Sequence, residues 1–194
     1  MGCNNSQSST PATTQPPLSP VAQAPITSTT ASSTTNPQGK IAACSLLTAE
    51  EIRTVQGETF TETKASRSVE NGLAISQCFF NLPTFANSVS LAVTQKGEGA
   101  AARDPRDFWE QTFSQGAERD KRDKSREEEE KSSAAQKIEG VGDEAFWTGS
   151  RVGGALYVLK RDSFIRVSVG GAGDQQVKME KSKSLARLAL KRLS

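Results

Sequence analysis

The sequence predicts an α+β domain in which one or more antiparallel sheets are covered by helices, in the order helix, strands, helix, strands, helix. Three observations point there: a helix-starting box at Thr48 to Glu51, strand-like alternation over Val89 to Thr94, and a closing run of short apolar segments followed by an amphipathic helix.

In Thr48-Ala49-Glu50-Glu51 the Thr48 hydroxyl can accept the Glu51 amide while the Glu51 carboxylate reaches back to the Thr48 amide. A short helix should therefore run from Ala49 to about Gln56, with Gly57 as its left-handed stop. Val89, Leu91 and Val93 alternate with Ser88, Ser90 and Thr94, the period of a strand with one buried face, and Leu73 to Phe80 is its expected antiparallel partner. Asp104 caps a second helix with Pro105 at its first position, where a missing N–H costs nothing; Phe108, Trp109 and Phe113 should dock it on the sheet. Ala145 to Trp147, Ala155 to Lys160 and Phe164 to Val169, with a tight turn at Arg161-Asp162, form a three-stranded meander. In the final helix Leu185, Leu188, Ala189 and Leu193 share a stripe, with Lys183, Arg187, Lys191 and Arg192 mostly off it. The order of elements suggests two related halves.

Composition divides the chain into an anchor remnant (1–3), a tether (4–42) and one domain (43–194). Apolar residues make up 35% of the chain, unevenly spread: residues 4–39 carry no charge and little apolar bulk beyond Leu18, Val21 and Ile26. Such a Ser/Thr/Pro segment cannot bury enough surface to offset its chain entropy, and as a flexible chain it would span about 30–35 Å. Between the halves, about residues 116–137, interleaved charges ending in Glu127 to Glu130 predict an exposed helical extension with i,i+4 pairs. These glutamates lack the spacing and glycine of a calcium loop.

The chain has a net charge of +2 and no histidine. That balance implies no nucleic-acid partner, and the missing imidazole removes the usual general base and zinc ligand. No metal site or cofactor is implied. No apolar run approaches the roughly 18 residues that cross a bilayer.

Met1-Gly2-Cys3 admits two anchors: the remnant of a bacterial lipobox, with Cys3 acylated after removal of a signal peptide, or N-myristoylation at Gly2 with Cys3 as a second lipid site. An unmodified terminus is the plain alternative. If the protein is exported, Cys44 and Cys78 are a natural disulfide, stabilising by about 3–4 kcal/mol on loop-closure arithmetic. A redox-active pair has less in its favour, since neither cysteine lies in a C-x-x-C motif. Gly140-Val141-Gly142-Asp143 resembles the GxGD of intramembrane aspartyl proteases, whose chemistry needs a second aspartate inside a multispanning bundle. Here Gly140 and Gly142 more simply permit a turn, with Asp143 bonding local amides.

Cys44-Ser45-Leu46-Leu47-Thr48 with Glu50-Glu51, Cys78 in a strand, Gly140 to Phe146 and the final Leu/Ala/Arg helix together resemble small secreted actinobacterial lipoproteins of the CSLLT/GVGDEA type. More distantly, they resemble the extracellular sensor domain of a mycobacterial receptor kinase. The likeness covers residues 43–193. It departs at Phe79, where tryptophan is expected, and at the charged segment 118–137, which reads as an insertion. It implies a Cys44–Cys78 disulfide, a lipidated N-terminus and an α+β fold, and brings no established activity.

The leading expectation is a non-catalytic, extracytoplasmic module, lipid-anchored to a bacterial cell membrane. It would bind or sense an envelope ligand in a cleft between the halves or on the open face of the sheet. The alternative is a structural or interaction protein that docks through the charged extension or the basic terminal helix. An enzyme using Asp143, Glu144 or lysines is disfavoured.

Overall fold

A computed structural model of the chain describes residues 40–114, 135–149 and 153–193. Cys3, most of the expected tether and the charged extension up to residue 134 lie outside the described residues; the extension's last positions, Gln136 and Lys137, belong to a strand.

The local signals act as the sequence requires. Helix α1 (Ala49–Gln56) starts on the reciprocal Thr48–Glu51 capping box and stops at Gly57, whose φ of 85° is left-handed. Helix α2 (Pro105–Trp109) starts at Asp104, which accepts the Arg106 amide, and widens into a π turn over Glu110–Ser114. Helix α3 (Gln175–Leu190) is capped by Asp174 through the Val177 amide.

Among the described residues seven strands form one antiparallel sheet: β1 (Glu62–Glu70), β2 (Leu73–Asn81), β3 (Val89–Lys96), β4 (Gln136–Ile138), β5 (Glu144–Gly149), β6 (Gly154–Lys160) and β7 (Ser163–Val169), in spatial order β1-β2-β3-β7-β6-β5-β4. The fold is therefore α+β, and the two halves are two meanders fused by a β3–β7 ladder running from Val89↔Val169 to Thr94↔Phe164. Their junction is hydrogen-bonded sheet, not a cleft. Two strands are additional to those read from the sequence. β1 is joined to β2 by a two-residue turn in which Asn71 and Gly72 have φ of 51° and 78°, matching the twist of an antiparallel hairpin. β4 is a three-residue edge strand on β5.

Each sheet face has its own cover. On one, Phe80, Leu91, Val93, Leu156, Val158, Ile165 and Val167 pack beneath α1 and α3 in the main core. On the other, Trp109 and Phe113 pack with Leu159 and Phe164 in a smaller cluster. Among the described residues no helix is long and apolar enough to cross a membrane.

The chain joins the sheet just before the expected boundary at residue 43. The Ile41 amide donates to Gln95 Oε1 (2.8 Å) and the Ala43 amide to Ser76 Oγ (3.0 Å). Cys44 and Cys78 form a disulfide across 34 residues of sequence, with Cys78 fully buried on β2. At the far end Arg192 donates to both Glu51 carboxylate oxygens and to the Leu46 carbonyl, each at 3.0 Å. Arg192 thus locks the end of α3 onto the start of α1 and is not a free basic residue.

Two predictions follow from these ties. Replacing both Cys44 and Cys78 by alanine should lower unfolding free energy by about 3–4 kcal/mol, seen as a lower urea midpoint than that of the oxidised protein. The second concerns acid. Burial pushes the Glu51 carboxyl up, but the bonds from Arg192 and Thr48 and the Arg192 charge more than offset it, holding Glu51 below its ordinary value of 4.5. Glu58, which accepts from the Thr84 amide and from Asn87, is lowered as well. A carboxyl that ionises more readily folded than unfolded stabilises fully above its unfolded value, and that stabilisation is lost as pH falls through the folded value. The urea midpoint should therefore be flat near neutrality and fall from about pH 4.5 downward, less steeply for Glu51→Gln.

Candidate functional site

The Gly140–Asp143 turn is structural, and by a longer reach than the sequence suggests. Gly140 and Gly142 have φ of 74° and 65°. Asp143 Oδ2 accepts the Arg161 amide at 2.7 Å and Oδ1 accepts Lys160 Nζ at 3.2 Å, so this carboxylate pins the β6–β7 turn instead of bonding amides of its own loop. The Arg161 N–H is the main cause that lowers the Asp143 pKa; burial opposes it, and Lys160 and Arg106 add to it. Arg161 needs the anchor, because it holds a left-handed φ of 57°. The neighbouring Glu144 accepts the Trp109 indole N–H at 3.0 Å, which ties α2 to the sheet. The two carboxylates named for an enzymatic reading are thus engaged in holding the fold.

The sheet surface beside α2 offers different chemistry. Pairing registers place Gln77, Ala92, Arg166, Tyr157 and Phe146 in one row across β2, β3, β7, β6 and β5. The row above it holds Phe79, Ser90 and Ser168. Alternation puts all of these on the face opposite the main core. α2 covers only part of that face. Phe113 stacks on Phe146 (4.8 Å) and tilts against Tyr157 (5.3 Å), while Trp109 meets Phe146 and Phe164. Among the described residues this aromatic cluster extends no further than Tyr157. Arg166, Ala92, Ser90, Ser168 and Phe79 are half-buried and Gln77 is exposed.

Arg166 stands at this boundary. Its Nε donates to the Tyr157 hydroxyl at 3.2 Å, and its guanidinium carbon lies 5.8 Å from the Tyr157 ring centroid. Among the described residues no carboxylate is within ion-pair distance of it. One edge of the guanidinium is therefore fixed by Tyr157, and on the strands beside Arg166 the same face carries small side chains, Ala92, Ser90 and Ser168. A planar fork held this way suits bidentate contact with a carboxylate or phosphate. At the rim, about 12 Å away by strand spacing and rise, Phe79 meets Phe85 at 6.0 Å, and Phe85 is 71% exposed.

Sequence reasoning named the open face of the sheet as one place for a ligand but did not single out Arg166. Within Phe164 to Val169 the eye follows Ile165 and Val167 inward, and an intervening Arg reads as solvent-facing. The signal that could have found it is the even-numbered set of the same strand, Phe164, Arg166 and Ser168, which is too mixed for a plain wet face. On the terminal helix, Arg187 reaches the Gly140 carbonyl at 3.4 Å.

The glycines can be tested against each other. A Cβ on Gly140 would meet only Arg187, at 3.9 Å, so Gly140→Ala should cost about 1–2 kcal/mol for its left-handed backbone. A Cβ on Gly142 would overlap Val158 and lie 2.5 Å from the Leu159 carbonyl oxygen, so overpacking adds to strain and Gly142→Ala should cost about 2–4 kcal/mol. Urea denaturation of the two variants checks the order.

No family model, curated protein or solved structure matches this chain.

Proposed function

We propose that this chain is an exported, lipid-anchored cell-envelope module, non-catalytic, that binds an oxyanion-bearing ligand on the open part of its sheet. The observation that carries the binding reading is Arg166: a half-buried guanidinium, oriented by Tyr157, with no carboxylate partner among the described residues and small side chains as its neighbours on the same face. The aromatic rim at Phe79 and Phe85 would seat the ring or apolar body of the same ligand. Export is supported by the Cys44–Cys78 bond, since disulfides persist in oxidising compartments. Anchoring rests on Cys3, with residues 4–39 as an uncharged spacer, and on the resemblance of residues 43–193 to secreted actinobacterial lipoproteins.

Binding is tested by titrating the full chain with oligogalacturonate, which carries carboxylates, and separately with glycerol phosphate. Tyr157 is the sole tyrosine, so a selectively labelled sample gives one ring resonance to follow. One of the two probes should shift it, and Arg166→Gln should weaken that binding at least tenfold, about 1.4 kcal/mol, with the urea midpoint little changed. Silence of Tyr157 with both probes, or equal affinity for Arg166→Gln, would overturn the site. Anchoring is tested by intact mass of protein from its native membrane: a chain beginning at acylated Cys3 supports it, and an unmodified terminus refutes it.

A further inference from the structure

The β1 edge carries a second interaction surface, on the opposite face from Arg166. β1 is an edge strand, and eight of its nine residues are exposed. Its outer N–H and C=O groups have no strand partner among the described residues, which is a template for an added strand. Beside it, on the core face, lies a groove of about 270 Å³ lined by Lys40, Ile41, Arg67, Val69, Ala74 and Ser76 among others. Its floor is made of small side chains, Ala74 and Ser76, paired with Val69 and Arg67. Val69 is 72% exposed. Among the described residues the groove's two cations, Lys40 and Arg67, are paired with no carboxylate, and no acidic residue lines it.

We infer that β1 is a docking edge for an extended acidic segment of another protein. The segment adds as an eighth strand and sets a carboxylate against Arg67 and an apolar side chain on Val69. Main-chain bonds to the free edge supply affinity, and the alternate side chains supply selectivity. A second copy of this chain does not meet the requirement. An antiparallel pairing of β1 with itself keeps odd positions opposite odd positions, and those are Thr63, Ala65, Arg67 and Val69. No register then places a carboxylate opposite Arg67.

The test uses the full chain and a synthetic heptapeptide of alternating threonine and valine with one central aspartate. Binding should slow amide exchange at alternate β1 positions at least tenfold, and backbone N-methylation of the peptide should abolish it. Arg67→Glu should weaken binding at least tenfold and should regain it with a peptide carrying lysine in place of the aspartate. Unchanged β1 exchange, equal binding of the N-methylated peptide, or equal binding of the aspartate peptide to Arg67→Glu would overturn the proposal. A dimer paired through β1 in sedimentation without peptide would also overturn it. Because Arg67 and Arg166 lie on opposite faces, Arg166→Gln should leave this binding intact, so the two surfaces fail or stand separately.

Discussion

Six residue pairs between β3 and β7 join segments more than sixty positions apart in the chain, and nearly everything else in the domain is placed by them. Each meander alone is a small sheet with open edges, too narrow to bury both of its faces. Joined, they present one continuous apolar face to α1 and α3, with Leu91, Val93, Ile165 and Val167 fully buried at the seam. The same ladder sets Arg166 beside Ala92 and Ser90, so the candidate anion site exists only because the two meanders meet. Closing a pairing of such long sequence separation carries a high loop-entropy cost, which the burial at the seam must offset.

The two faces of the sheet divide the labour. The core face carries the disulfide, two helices and the Arg192–Glu51 lock. The other face is partly sealed by Trp109 and its aromatic neighbours, with Glu144 holding the indole in place. What remains open there is polar, has small side chains and holds one fixed cation. The heavier cover thus lies on one surface, which lets the face that bears Arg166 stay partly wet without loosening the main core.

Local chemistry was legible; long-range pairing was not. Thr48, Gly57, Asp104 and Pro105 act within one helical turn, and the structure uses them as their residue types dictate. β1 was illegible by apolar periodicity because it buries almost nothing: Ala65 and Val69 are its apolar residues, both on the core face, and both are exposed. The turn signal Asn71-Gly72 before Leu73 did mark it. The union of the meanders could not be read, since nothing in the β3 pattern names its partner. For the same reason Asp143 was expected to bond nearby amides, whereas its partners Lys160 and Arg161 become neighbours only once β5 and β6 pair. The site followed suit: an arginine inside a strand acquires meaning only from the strands on either side.

The disulfide also fixes how the domain carries load. A pull on the chain ahead of Lys40 first meets the side-chain bonds at Gln95 and Ser76, then the covalent link from Cys44 to the interior of β2. Tension therefore enters at β2, inside the sheet, instead of peeling α1 away from its N-terminus. With the link intact, that entry point is held on both sides by full ladders of hydrogen bonds, to β1 and to β3. With the link reduced, the covalent entry into β2 is lost and the same pull passes along the backbone into α1.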